Sequence, residues 1–306
     1  MNKFVIYTAI VGKYDEILQP KVVDSQFDYI LFSNDINKKN IGVWLIRPIK
    51  YYNKDQIKIA RWVKTHPEDL LPEYEFSIWM DANIQIESDF IYNRTNELFV
   101  KNFPISSIIH PERNCIYEEM FIVFFWNYES ITTIIRWSNF LQRNLFPCNI
   151  GLNETNILFR NHLSPKVMEI DRLWWSFINE YSRRDQLSFN YVLWKLQLCC
   201  EPLLPLNQSV HNSKHFNYIN HANSRKKACA QNKDFSWFQH YCTLYPQKQQ
   251  KIKKNFFRMI DSNKPFVQLK YYEVKYRIII CLKTAMFRLV HFFFKSFQPI
   301  KRDSET

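Results

Sequence analysis

Apolar residues in this chain gather in short runs whose period changes along the sequence. Positions 4–10 (Phe-Val-Ile-Tyr-Thr-Ala-Ile) and 27–33 (Phe-Asp-Tyr-Ile-Leu-Phe-Ser) are rich in β-branched and aromatic side chains, the signature of buried strands. A third such run lies at 43–47. Over 55–65 the period switches. Ile57, Ala60 and Val63 recur at helical spacing, with Lys58, Arg61 and Lys64 every third residue on the other side. The runs at 76–86 and 105–109 return to strand. Strand, strand, helix, strand predicts an α/β sandwich. In such sheets ligands bind at the carboxyl ends of the strands, where Thr8, Asn34, Asp81 and Asn83 all fall.

The 76–86 run carries the first candidate chemistry. It is apolar up to Met80 and then breaks into Asp81-Ala82-Asn83. In an extended chain residues i and i+2 point to one side. Asp81 and Asn83 are thus expected to offer two oxygen ligands to one hard cation, Mg²⁺ or Mn²⁺ bridging a diphosphate. The alternative is a strand followed by a polar turn.

Further along, His110, Pro111, Glu112 and Arg113 follow the 105–109 strand and open a helical region of high aromatic content that includes Glu118 and Glu119. A turn at Gly151 leads into a strand ending in Arg160 and His162, and a helix is expected to begin near Arg172. Ser182 is placed to cap a helix with Asp185 in its first turn, where the helix dipole favours a carboxylate.

Composition narrows the setting. With 306 residues, 46% of them hydrophobic, the chain can bury a full core. Three glycines leave no glycine-rich phosphate loop, which disfavours Rossmann dehydrogenases and P-loop kinases. Seven cysteines without C-x-x-C spacing read as buried hydrophobes of a reducing compartment, not a zinc site. The amino-terminal apolar run lacks a small-residue cleavage site and reads as a strand of an unsecreted, cytoplasmic protein. Most of the net charge of +12 sits after Lys248. Within 276–297, Arg277, Thr284, Arg288, His291 and Lys295 form a narrow stripe on a mostly apolar helix, as expected for a helix lying on the anionic inner face of a membrane. The run is too short and too interrupted to span one. A helix packed back on the domain is the alternative. No nucleic-acid-binding motif appears, so nucleic acid is not an expected partner.

Seven ordered segments resemble one known family: Tyr7 to Asp15, Asp28 to Ser33, Ala60 to Lys64, Ile78 to Ile84, His110 to Arg113 with Glu118 and Glu119, Gly151 and Leu152 with Arg160, and Arg184 to Phe189. The chain resembles the glycosyltransferase-like domain of plant mucilage-related proteins and bacterial polysaccharide loci. The resemblance implies a nucleotide-sugar transferase of GT-A type: a Rossmann-type α/β/α sandwich with a mixed central sheet over 1–245, followed by a basic helical extension over 246–306. It also implies a divalent cation, Mn²⁺ or Mg²⁺, on the donor diphosphate. This chain has Asn83 where such enzymes more often carry a second Asp, which removes one negative charge from the cation site.

Roles follow from the resemblance and from side-chain chemistry together. Thr8, Tyr14, Asp28 and Phe32 are candidates to hold a base and ribose. Arg61 and Lys64 would neutralise the departing diphosphate, with Arg184 and Gln186 positioning hydroxyls. Asp185 is the candidate base, with Glu118 and Glu119 as competitors, of which only one can face the crevice. His221 is the candidate third metal ligand, with His110 and His211 as other possible contacts. The donor would be a nucleotide-diphosphate sugar and the acceptor a surface polysaccharide or a lipid-linked saccharide. A metal-dependent hydrolase of an amide or ester, or a non-catalytic carbohydrate- or membrane-binding module, would use the same residues differently.

Overall fold

The computed structural model describes residues 2–12, 15–125 and 128–219, with scattered positions between 247 and 260. In chain order the elements are β1 (Phe4–Ala9), β2 (Phe27–Phe32), β3 (Asn40–Ile41), β4 (Trp44–Arg47), α1 (Gln56–Lys64), α2 (Pro67–Leu70), β5 (Phe76–Met80), β6 (Ile84–Ile86), α3 (Phe90–Val100), β7 (Ile105–Ile109), α4 (Ile116–Phe125), α5 (Ile131–Arg143), β8 (Asn153–Asn161), α6 (Pro165–Glu180), α7 (Gln186–Lys195), β9 (Glu201–Pro202) and β10 (Phe216–Tyr218). Eight strands form one sheet in the order β3-β4-β2-β1-β5-β8-β7-β9, and β6 pairs with β10 in a separate two-stranded sheet. The neighbours β4, β2, β1 and β5 run parallel. β8 lies antiparallel between β5 and β7. This is an α/β/α sandwich with a mixed central sheet, the layer architecture that the family resemblance implies.

The near-continuous apolar strands are explained by burial on both faces. Along β1, Val5, Tyr7 and Ala9 enter a core with α1, α4, α5, α6 and α7, while Phe4 and Ile6 enter a second core with α3, β6 and β10. Helix α1 starts where the Asp55 carboxylate accepts the backbone N–H of Ile57 at 3.0 Å, and ends where the Thr65 N–H donates to the carbonyls of Arg61 and Trp62. Its basic residues Arg61 and Lys64 fall in the last turn, favoured by the helix dipole.

Several boundaries differ from expectation for physical reasons. The 76–86 run is two strands, because the Asp81 carbonyl accepts the Ile84 N–H at 3.0 Å and closes a turn. Asp81 and Asn83 are therefore not alternate positions of one extended strand. In α1 the apolar Ile57 is exposed while Ile59, Val63 and Lys64 are buried, so the basic face turns inward. Helix α6 begins at Pro165, which is pre-set for a first helical turn, and not near Arg172. Asp185 occupies the N-cap position of α7. Ser182 accepts the Arg184 N–H at 3.1 Å and donates to Glu129 at 2.9 Å.

Phe256 and Ile260 are buried in the core, Phe256 against Phe121 and Phe124, and Lys253 pairs with Glu118 at 2.7 Å. Tyr14, His221, the boundary at 245/246 and the amphipathic stretch over 276–297 lie outside the described residues. Among the described residues no helix is long and apolar enough to cross a membrane.

Candidate active site

Four charged side chains from three parts of the chain meet at the carboxyl ends of β1 and β5. The last turn of α1 sends Lys64 inward, where its ammonium lies 2.5 Å from Asp185 Oδ2 and 3.7 Å from Asp81 Oδ1. Arg61, one turn earlier, places Nε 3.3 Å from Asp185 Oδ1 and Nη1 3.6 Å from Asp81 Oδ1. Spacing i, i+3 puts both cations on one helix face. Lys64 is wholly buried between the rings of Trp79 and Trp174, at 5.5 and 5.6 Å from their centroids. Two groups fix the carboxylates and a third the Asp185 backbone: Thr155 Oγ1 donates to Asp185 Oδ2 at 3.0 Å, Trp79 Nε1 to Asp81 Oδ1 at 2.7 Å, and Trp174 Nε1 to the Asp185 backbone carbonyl at 2.9 Å.

The electrostatics assign different duties to the two acids. Burial raises the Asp185 carboxyl, but Arg61 and Lys64 outweigh burial and hold it well below the ordinary carboxylate range. Arg61, Lys64 and Thr155 all engage this carboxylate, so the residue expected to act as base is tied to both cations of α1. Burial draws the Lys64 ammonium below its ordinary value, against the pull of Asp185 and Asp81. Asp81 keeps a quarter of its side chain exposed and Arg61 about a sixth, so solvent reaches this pair while Lys64 and Asp185 lie beneath it.

The remaining candidates divide. Thr8 comes to the site: its buried hydroxyl shares a small cavity with Met80, Asp81, Ala82 and Ile84, and Oγ1 has no hydrogen-bond partner among the described residues. Arg184 comes as well, its guanidinium 4.8 Å from the Tyr128 ring and its charge felt by Asp185. Gln186 opens α7 beside them. Asp28 does not come. It lies at the amino end of β2, where Tyr74 and Asn2 donate to it at 2.8 and 2.9 Å. Phe32 is core, edge-on to Tyr7, with no face for stacking on a base.

Asn83 is tied to the chain after β10: its side-chain Nδ2 donates to the Ile219 carbonyl at 2.9 Å, and its backbone carbonyl accepts the Ile219 N–H at 2.9 Å. Glu118 and Glu119 face apart as expected, Glu118 to Lys253 and the buried Glu119 to Arg113 at 2.8 Å. His110 is buried with Nε2 2.6 Å from Arg113, and His211 packs on Tyr218. Among the described residues no three His, Cys, Asp or Glu side chains converge as a cation cage.

Sequence reasoning missed Thr155, Trp79 and Trp174 as supports, and it missed Glu154. The only signal was four polar residues, Asn153 to Asn156, opening a strand otherwise apolar to Phe159.

Three solved structures share low-identity similarity with the chain. The WbbM bifunctional glycosyltransferase in its apo form matches at 11% identity and a TM-score of 0.36, over 76% of this chain and 44% of that one. Mouse xyloside xylosyltransferase 1, apo form, matches at 10% and 0.37, over 66% and 84%. Core-mannan synthase A from Aspergillus fumigatus in its Mn/GDP form matches at 8% and 0.37, over 63% and 70%. This chain thus spans less than half the length of WbbM. No curated protein sequence matches it. Residues 1–222, which hold every strand of the sheet and all four charged residues of the site, match the TOD1/MUCI70 glycosyltransferase-like domain, and the chain belongs to that family.

Proposed function

We propose that the protein transfers a sugar from a nucleotide-diphosphate donor to a saccharide acceptor, with the diphosphate seated against Arg61, Lys64 and Asp81. One observation carries this reading: two cations of α1 turn into the sheet's carboxyl-end crevice and are held there by two carboxylates. Negative charge accumulates on the departing diphosphate during sugar transfer, so fixed positive charge at that point lowers the barrier. Arg61 adds a planar fork that matches phosphate oxygens.

A divalent cation fits in a limited way. Asp81 Oδ1 is held by Trp79, which leaves the other oxygen of this partly exposed carboxylate as a ligand, while Asn83 gives its Nδ2 to the Ile219 carbonyl. One carboxylate oxygen suits a Mg²⁺ or Mn²⁺ whose shell is completed by substrate phosphates and water, and the nearby charges of Arg61 and Lys64 weaken its retention between turnovers. When bound, the ion would add charge neutralisation at the diphosphate. Arg61 and Lys64 orient the leaving group from below, and Thr8 adds a free hydroxyl at the cavity next to Asp81.

The acceptor we propose is a surface polysaccharide or lipid-linked saccharide. The charge concentrated after Lys248 supports an anionic membrane surface, on its cytoplasmic side, as the place of action. The test is a thermal-shift titration with UDP-, GDP- and CMP-sugars, with and without Mn²⁺. A rise in Tm for one donor, lost in Asp81→Ala, is expected. A folded protein that shifts with none of them defeats the reading.

A further inference from the structure

The antiparallel strand β8 runs between two acidic sites, and only one of them is spoken for. Its register against β7 slips between Ser107 and Ile108, pairing Ser107 with Leu158 but Ile108 with Glu154, so residues 155–157 bulge. Bulges re-aim side chains and recur beside active sites. Here Thr155 turns to Asp185. The Asn156 carbonyl accepts the Asp81 N–H at 2.8 Å, which fixes this stretch to the diphosphate site. The side chains of Glu154 and Asn156 meet each other, Asn156 Nδ2 donating to Glu154 Oε2 at 3.4 Å. Glu154 is 8% exposed. Among the described residues the bond from Asn156 is the one side-chain hydrogen bond Glu154 makes, and the buried Asn156 Oδ1 accepts from nothing. Two adjacent polar groups, buried and with hydrogen-bonding capacity left over, are what a site for a substrate hydroxyl requires.

The other acids of the region are occupied: Asp185 by Lys64, Arg61 and Thr155, Glu119 by Arg113, and Glu118 by Lys253. We infer that Glu154 takes the proton from the acceptor hydroxyl, with Asn156 positioning that hydroxyl. The inference rests on the transferase reading above. In the step, the acceptor oxygen bonds to the anomeric carbon of the donor sugar as its proton passes to the Glu154 carboxylate. The bond from that carbon to the diphosphate oxygen breaks, and its electron pair leaves with the diphosphate. One displacement inverts the anomeric configuration. Burial pushes the Glu154 carboxyl up to about 7, Glu119 and Glu112 adding to the rise and Asn156 and Arg113 opposing it. A base poised there suits catalysis at neutral pH.

The experiment compares wild type, Glu154→Gln and Glu154→Asp with the donor that raises Tm and a panel of p-nitrophenyl glycosides as acceptors. Glu154→Gln keeps the shape and loses the proton acceptor, so the donor-induced rise in Tm is expected to remain while transfer falls at least ~100-fold. Wild-type kcat/KM is expected to climb with pH through a limb near 7, Glu154→Asp to move that limb, and the product to show inverted configuration by NMR. Transfer by Glu154→Gln within about threefold of wild type, or a retained configuration, overturns the inference and leaves the transferase reading standing. Should Glu154→Gln unfold, an unmoved limb in Glu154→Asp overturns it equally. Wild-type protein that binds no donor removes the transferase reading itself.

Discussion

The guanidinium of Arg160, in the middle of the sheet, donates to the backbone carbonyl of Lys64 at 2.9 Å, so the residue whose ammonium grips Asp185 is itself gripped from behind. Arg160 also donates to the Tyr7 hydroxyl at 3.1 Å and pairs with Asp171 at 2.9 Å, both partners being wholly buried. The site's geometry is thus transmitted from β8 and α6 into the end of α1.

Removing Arg160 alone would leave Asp171 in the core without its partner, either charged or forced to take up a proton, since its carboxyl is already pushed up to about 6 by burial against the pull of Arg160. Arg160→Met is expected to cost about 3–5 kcal/mol in urea unfolding, and the double variant Arg160→Met/Asp171→Leu to recover most of it. A single variant that loses less than about 1 kcal/mol would show that the pair is not what anchors α1.

Asp185 is expected to make the fold sensitive to acid. Its folded-state pKa is depressed, so its contribution is present above the unfolded carboxylate value of about 3.9 and is lost as pH falls below that toward the folded value. Unfolding midpoints of wild type measured from pH 6 down to pH 2 should fall more steeply than those of Asp185→Asn. Parallel curves would mean that Arg61 and Lys64 do not stabilise the carboxylate in the folded chain.

Glu68 gives the opposite sign. Burial, with Asp171 adding to it, raises its carboxyl to about 7, and neither oxygen has a hydrogen-bond partner among the described residues. A raised acid contributes stability below its unfolded value of about 4.5, and loses it as pH rises through the folded value. Glu68→Gln is therefore expected to stabilise the protein at pH 8 by about 1–2 kcal/mol, discounted for partial solvent access, and to do little at pH 5. Equal effects at both pH values would count against a buried carboxylate that has no hydrogen bond among the described residues and whose ion-pair partner Arg172 stands 3.9 Å away.

The sequence reveals the sheet better than the site. The strands β1, β2 and β7 can be read to within a residue because they are buried on both faces and end at polar residues. Helix α5 also leaves a readable trace, Ser130 as cap and Ile131, Ile134, Ile135, Ser138 and Leu141 at helical spacing. Asp81 and Asn83 mislead because an apolar run continues through Ile84 and Ile86, and nothing local says that Ile84 belongs to another sheet. The pairing of Lys64 cannot be read locally for a similar reason: its partner Asp185 is 121 residues away, and only the completed fold turns a basic helix face inward. Glu154 is hidden in a polar stretch whose bulge is set by pairing with β7.

Asp81 and Asn83, so alike on paper, should separate cleanly when mutated. Asp81 faces the crevice beside two cations and is partly exposed, so Asp81→Ala removes no core packing and frees Trp79 Nε1 of one bond. Its expected signature is a fall of at least ~100-fold in sugar transfer with Tm nearly unchanged, as for a group acting on transition-state charge. Asn83 ties β6 to the chain after β10 through Ile219, and Asn83→Ala leaves that partly buried carbonyl short of a donor. It should cost about 1–3 kcal/mol in urea unfolding, while the protein that remains folded keeps its transfer rate and its response to Mn²⁺. If Asn83→Ala instead spares stability and raises the Mn²⁺ concentration needed for half-maximal activity, the amide is a ligand after all and the turn must open when the diphosphate binds.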